Sequence, residues 1–167
     1  MRAIVGIGSN LGDRVANVQA AIEKLRLLPG VREAIASPLD ETAPVGPAQP
    51  EYVNAAVLLA VEPARSARSL MSALLAVEAE MGRVRGERFG PRTIDLDVLW
   101  MASDDDDRCL PSTHEVALVP HPRLSERAFA LVPLLDVVPL ARDPLGNAYA
   151  EMAATLDHSG VRLLMTP

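Results

Sequence analysis

Arg2 to Ile7 is an apolar run that reads as a buried strand, ending at Gly8-Ser9-Asn10, a turn with exposed backbone amides and small polar side chains. Val15, Val18, Ile22 and Leu25 then recur at helical spacing behind Asp13, a suitable N-cap, and Pro29-Gly30 closes that segment. A weakly patterned strand is expected from about Val31 to Thr42. Ala43-Pro44-Val45-Gly46-Pro47 follows, with too much proline and glycine for a regular ladder. Val53 to Val61 predicts a third strand, punctuated by Glu62-Pro63. Leu70, Leu74, Val77 and Met81 form the apolar stripe of a second helix, stopped by Gly82, and Thr93 to Met101 predicts a fourth strand.

The order β-α-β-β-α-β predicts an α+β, ferredoxin-like core: a mainly antiparallel sheet with helices packed on it. C-terminal additions complete it. Val116 to Val119 reads as a short strand, Ser125 to Leu135 as a short helix, and Tyr149 to Leu156 as a last helix on the outside. Asp104 to Asp107, followed by Arg108, reads as a solvated turn. At 167 residues, positions 1–167 are expected to form one domain with a sizeable core and no need of disulfides.

Composition narrows the function. The opening segment is broken by Gly8 too early for a secretory signal, and no apolar run reaches membrane-spanning length, so the reading is a soluble cytoplasmic protein without a membrane role. The formal charge of −6 argues against nucleic acid as a partner. Cys109 has no local motif that would give it metal or redox chemistry. Aromatic residues make up 3% of the chain, so each ring is informative: Tyr52, Phe89 and Phe129 fall in segments rich in Asn, Arg, Gly and Pro, whereas Trp100 and Tyr149 suit plain packing.

The chemistry concentrates in one stretch. Residues i and i+2 of a strand share a face, so Asp95 and Asp97 would stand side by side, their oxygens suited to hard divalent cations such as magnesium. Arg83, Arg85, Arg88 and Arg92 precede them, spaced by Gly82, Gly86, Gly90 and Pro91, a pattern expected of a mobile anion clamp. Clustered guanidinium groups beside paired carboxylates match a phosphate ligand that carries magnesium.

Together these segments resemble one family, the 6-hydroxymethyl-7,8-dihydropterin pyrophosphokinases of folate biosynthesis. The resemblance rests on Gly6 to Asp13, on Glu41 to Gly46 with Gln49 to Ala56, on Gly82 to Leu99, and on Val119-Pro120-His121-Pro122-Arg123 with Arg127-Ala128-Phe129. It implies an ATP-dependent transferase that moves a diphosphate to the hydroxymethyl group of the pterin and leaves AMP, with two magnesium ions bound alongside ATP. Asp95 and Asp97 would hold the metal, and Arg83 and Arg92 would join them in catalysis. Glu78, Arg85, Arg88, Arg92, His121, Arg123 and Arg127 would contact ATP. Tyr52 and Phe129 would sandwich the pterin, Asn54 would meet its hydrogen-bonding edge, and Thr42, Pro44, Val45 and Gly46 would line the remaining rim. Phe89 stands where some relatives carry Trp, keeping an apolar lid of different size, and Ala43 stands where a second proline is common. ATP and the pterin are the expected partners of a monomer. A metabolite-sensing module on the same fold would have no use for the acid pair, and another magnesium nucleotidyl transferase would not need Tyr52, Asn54 and Phe129.

Overall fold

The computed structural model describes residues 1–44, 49–84 and 90–164. Strand β1 (Arg2–Ser9) leads through the Asp13 cap, whose side chain accepts the Ala16 N–H, into helix α1 (Arg14–Arg26). Val18, Ala21, Ile22 and Leu25 are its buried stripe. The expected second strand is broken in two, β2 (Val31–Ala36) and β3 (Asp40–Thr42). The break is chemical. Pro38 has no N–H to give a ladder, and Ser37 replaces the lost pairing: its Oγ accepts the Ala56 N–H at 2.9 Å and donates to the Pro38 carbonyl at 2.7 Å. Strand β4 (Tyr52–Val61) therefore carries β2 along its second half and β3 along its first.

Helix α2 (Ala67–Glu80) starts at Ser66, whose side chain accepts the Ser69 N–H, and buries Leu70, Leu74 and Val77. Gly82 follows at φ 76°, the left-handed region that glycine enters without strain. Strand β5 (Asp95–Ala102) completes the βαββαβ plan. The sheet runs β5-β1-β4-β3 with every pairing antiparallel, and α1 and α2 touch each other on one of its faces.

Three additions were only partly legible. Strand β6 (Ser112–His114) pairs with β7 (Ala117–Val119) as a separate hairpin. A 3-10 turn (Leu124–Glu126) precedes α3 (Ala128–Val137), which packs on β4, β1 and β3. Helix α4 (Tyr149–Ala153) is shorter than expected, and an unforeseen strand β8 (Val161–Leu163) pairs with β3 at the sheet edge. The acidic run is more than a solvated turn, because Arg2 reaches Asp107 Oδ1 at 3.0 Å and stacks its guanidinium 5.6 Å from the Trp100 ring centroid. Trp100 and Tyr149 are both buried, as expected, and Cys109 is buried too.

Candidate active site

Strand register builds the floor of the site. Asp95 lies opposite Gly8 and Asp97 opposite Gly6 in the β5–β1 pairing, and Gly8 in turn lies opposite Asn54 of β4. Paired residues of an antiparallel ladder share a face, so both carboxylates, both glycines, Asn54 and Tyr52 stand on one side of the sheet. The glycines are what leave room there. A Cβ at Gly8 would lie 3.0 Å from Asn54 Oδ1, and one at Gly6 2.9 Å from Leu99 Cδ1. Above this floor opens a cleft of about 770 Å³ that reaches Arg83, Arg92, His121, Arg123, Arg127, Thr42 and Phe129.

Around the acids, arginine is bound at short range. Both oxygens of Asp95 are engaged, Oδ1 by Arg83 Nη1 at 2.6 Å and Oδ2 by Arg92 Nη1 at 2.7 Å. Arg83 also pairs with Glu78, whose Oε1 accepts the Leu96 N–H at 2.7 Å. Burial, then the charges of Asp95 and Glu78, raise the Asp97 carboxyl to about 6, outweighing Arg127 and Arg83. The metal-capable donors at this end of the cleft are carboxylate oxygens, the type that hard divalent cations take.

His121 is held from its backbone, whose N–H donates to the Leu99 carbonyl at 3.0 Å, and its Nδ1 accepts the Arg123 N–H at 3.2 Å. That leaves Nε2 as the protonated nitrogen of the neutral ring. Burial, then Arg127, lowers its pKa, so the neutral ring is the form present near pH 7. Arg127 lies 5.6 Å from the Phe129 ring centroid and Arg123 Nε lies 3.2 Å from Glu126. On the β3–β4 side, Asn54 Nδ2 donates to Thr42 Oγ1 at 2.6 Å, which orients the amide and leaves Oδ1 and the second N–H for other partners.

Most of the expected residues converge on this cleft, with definite exceptions. Glu78, expected to contact ATP, is 3% exposed and does not line the cleft; its carboxylate pairs with Arg83 and accepts the Leu96 N–H. Pro44 does not line the cleft either, and its neighbour Ala43 does. Val45, Gly46, Arg85, Arg88 and Phe89, with the expected mobile clamp, lie outside the described residues.

Sequence reasoning gave no role to several residues that matter here. Asn10, 1% exposed, accepts the Arg92 N–H at 2.8 Å through Oδ1 and donates to Gln49 Oε1 at 3.0 Å, joining the two rims of the cleft. Ser9 Oγ donates to the Thr93 carbonyl at 2.6 Å. A run of small polar residues at the end of an apolar strand was the available signal. Asp157, Ser159, Gly160 and Val161 also line the cleft, and no local pattern announced them.

Comparison with known proteins identifies a family and a fold. A profile of the 7,8-dihydro-6-hydroxymethylpterin-pyrophosphokinase (HPPK) family matches residues 4–139. The chain is 39% identical over 160 residues to a 2-amino-4-hydroxy-6-hydroxymethyldihydropteridine pyrophosphokinase of Synechocystis, covering 95% of this chain and 78% of that one. It is 39% identical over 164 residues to the protein of the same name from Pseudomonas aeruginosa, covering 98% and 96%. Its fold superposes on a crystal structure of an HPPK-DHPS protein in complex with substrates, with a TM-score of 0.63 at 11% identity, over 92% of this chain and 45% of that one. The chain spans less than half of that longer protein, and at this identity the likeness is one of fold. Among the described residues, no helix is long and apolar enough to cross a membrane.

Proposed function

Because the chain belongs to the 7,8-dihydro-6-hydroxymethylpterin-pyrophosphokinase family, we infer that this cleft is where it transfers a diphosphate from ATP to the hydroxymethyl group of 6-hydroxymethyl-7,8-dihydropterin. The products are AMP and the pterin diphosphate, and the reaction belongs to folate biosynthesis. One observation carries the assignment to the cleft: the register that sets Asp95 and Asp97 over Gly8 and Gly6 also brings Tyr52 and Asn54 to the same face, with Phe129 in the same cleft.

A pterin is a flat bicycle with an amide-like edge. Tyr52 and Phe129 offer aromatic faces to it, and Asn54, aligned by Thr42, offers an acceptor oxygen and a donor N–H to the edge. On the other side Arg83, Arg92, Arg123 and Arg127 supply the positive charge that a triphosphate needs, and the neutral His121 ring supplies an N–H donor. Two magnesium ions, bound with ATP, would be held by Asp95 and Asp97 and would supply charge neutralisation and alignment of the phosphates with the hydroxyl. Two carboxylates on one face of the cleft floor are the oxygen donors that suit such ions. Arg83 and Arg92 then act where charge builds up on the transferred group, and Glu78 keeps Arg83 in place. No general base is assigned. The protein works as a cytoplasmic monomer in this reading.

The test is a turnover assay with purified protein, ATP, magnesium chloride and the hydroxymethyl pterin, separating products by chromatography. AMP and pterin diphosphate should form in equal amounts and only when the pterin and magnesium are both present. ADP as the product, or AMP without pterin, would refute the reading.

A further inference from the structure

The family profile ends at residue 139, yet the cleft does not: Asp157, Ser159, Gly160 and Val161 form part of its wall beside Thr42 and Ala43. This wall is held by the sheet. Val161 lies opposite Thr42, which lies opposite Tyr52, so these three side chains share the cleft face. The Ala43 N–H donates to the Gly160 carbonyl at 3.4 Å and the Leu164 N–H to the Leu39 carbonyl at 2.7 Å, closing both ends of the β3–β8 pairing.

Alternation sends the intervening residues to the reverse face. Arg162 lies opposite Glu41 there, and its Nη2 lies 3.3 Å from Glu41 Oε2 and 2.8 and 2.9 Å from the two oxygens of Glu51. Arg14, at the start of α1, reaches Glu41 Oε1 at 2.9 Å and the Glu51 carbonyl at 2.8 Å. Glu41 precedes Thr42 and Glu51 precedes Tyr52. Two carboxylates that reach the same guanidinium would repel each other without it. The guanidinium of Arg162 therefore ties β8, β3 and the start of β4 together directly behind the residues that face the cleft.

We propose that β8, through Arg162, is a positioning element of the pterin half of the site, resting on the functional reading above. Arg162 touches neither substrate; it fixes the spacing of Val161, Thr42 and Tyr52, and so the width of the slot that takes the flat ring. The Arg162–Glu51 pair is solvent-exposed, Arg162 being 59% exposed, so its loss changes global stability little and shows in the alignment of the slot.

The experiment is steady-state kinetics of wild type, Arg162→Ala, Arg162→Lys and Glu51→Gln, with both substrates varied and melting temperatures recorded. Arg162→Ala should raise the pterin KM about fivefold, with the ATP KM and kcat within about twofold and a melting temperature within about 2 °C of wild type. Arg162→Lys should recover part of the loss, because an ammonium keeps the charge but not the planar fork. Glu51→Gln should resemble Arg162→Ala, and the double variant should be no worse than either. A pterin KM unchanged in Arg162→Ala overturns the proposal, as does a parallel rise in both KM values with a lowered melting temperature. Wild-type protein that makes no pterin diphosphate overturns the functional reading instead.

Discussion

Replacing Asp40 by Asn should stabilise the protein at neutral pH. Asp40 lies on β3, 3% exposed, and its Oδ2 has no hydrogen-bond partner among the described residues. Burial, and then the charge of Asp136 on α3, raise its pKa from 3.8 to about 6. A folded-state pKa above the unfolded one means that folding favours the neutral acid. Its contribution is complete below the unfolded value and is lost as pH rises through about 6. At about 1.36 kcal/mol per pH unit, the rise from 3.8 to about 6 makes the ionised group cost about 3 kcal/mol at pH 8. Asn removes the charge at nearly constant volume, while an amide left short of a partner returns about 1 kcal/mol of that. The net gain should be about 2 kcal/mol at pH 8, or roughly 4–8 °C in Tm for a chain of this size, and should turn into a loss of up to about 1 kcal/mol at pH 4, where Asp40 is neutral in the folded protein and only the cost of the amide remains. Urea unfolding followed by circular dichroism at pH 4, 6 and 8 measures it. A difference between variant and wild type that does not change with pH, or a less stable variant at pH 8, would refute the reasoning.

Gly8→Ala should raise the pterin KM, because its Cβ would sit 3.0 Å from Asn54 Oδ1 and 3.6 Å from Tyr52 Cδ1; kinetics with each substrate varied should show the pterin more affected than ATP. Ser37→Ala should cost about 1–2 kcal/mol in urea unfolding by leaving the Ala56 N–H without its acceptor, and a loss below about 0.3 kcal/mol would show that the strand break does not depend on that hydroxyl.

Much of the fold was legible because its signals are local. The apolar spacing of α1 and α2, the Asp13 cap and the stop at Gly82 each lie within a few residues of what they determine. The acid pair was legible too, since alternation alone places Asp95 and Asp97 on one face. The burial of Glu78 was in the sequence too: it follows Leu74 by four residues and Leu70 by eight, which sets it on the buried stripe. Strands β6 and β8 have three residues each, too few to show an alternation, and β8 exists through a partner far along the chain, as when Arg162 meets Glu41. The Arg2–Asp107 pair is of the same kind, created when β1 and β5 align Arg2 with Ala102. Single strands read by composition also hide their interruptions, and Ser37-Pro38 shows its effect only once Ala56 is opposite.

The acid pair on the cleft floor is the centre of the functional account, and Asp97→Ala tests it most directly. Turnover to AMP and pterin diphosphate should fall by at least about 10³-fold, since in the proposed reading this carboxylate would hold a charge-neutralising metal that acts mainly on the transition state. The far-UV circular dichroism should match wild type, and removing a half-buried acid whose charge is disfavoured should leave the melting temperature equal or higher. A folded Asp97→Ala protein that turns over at the wild-type rate would contradict the account.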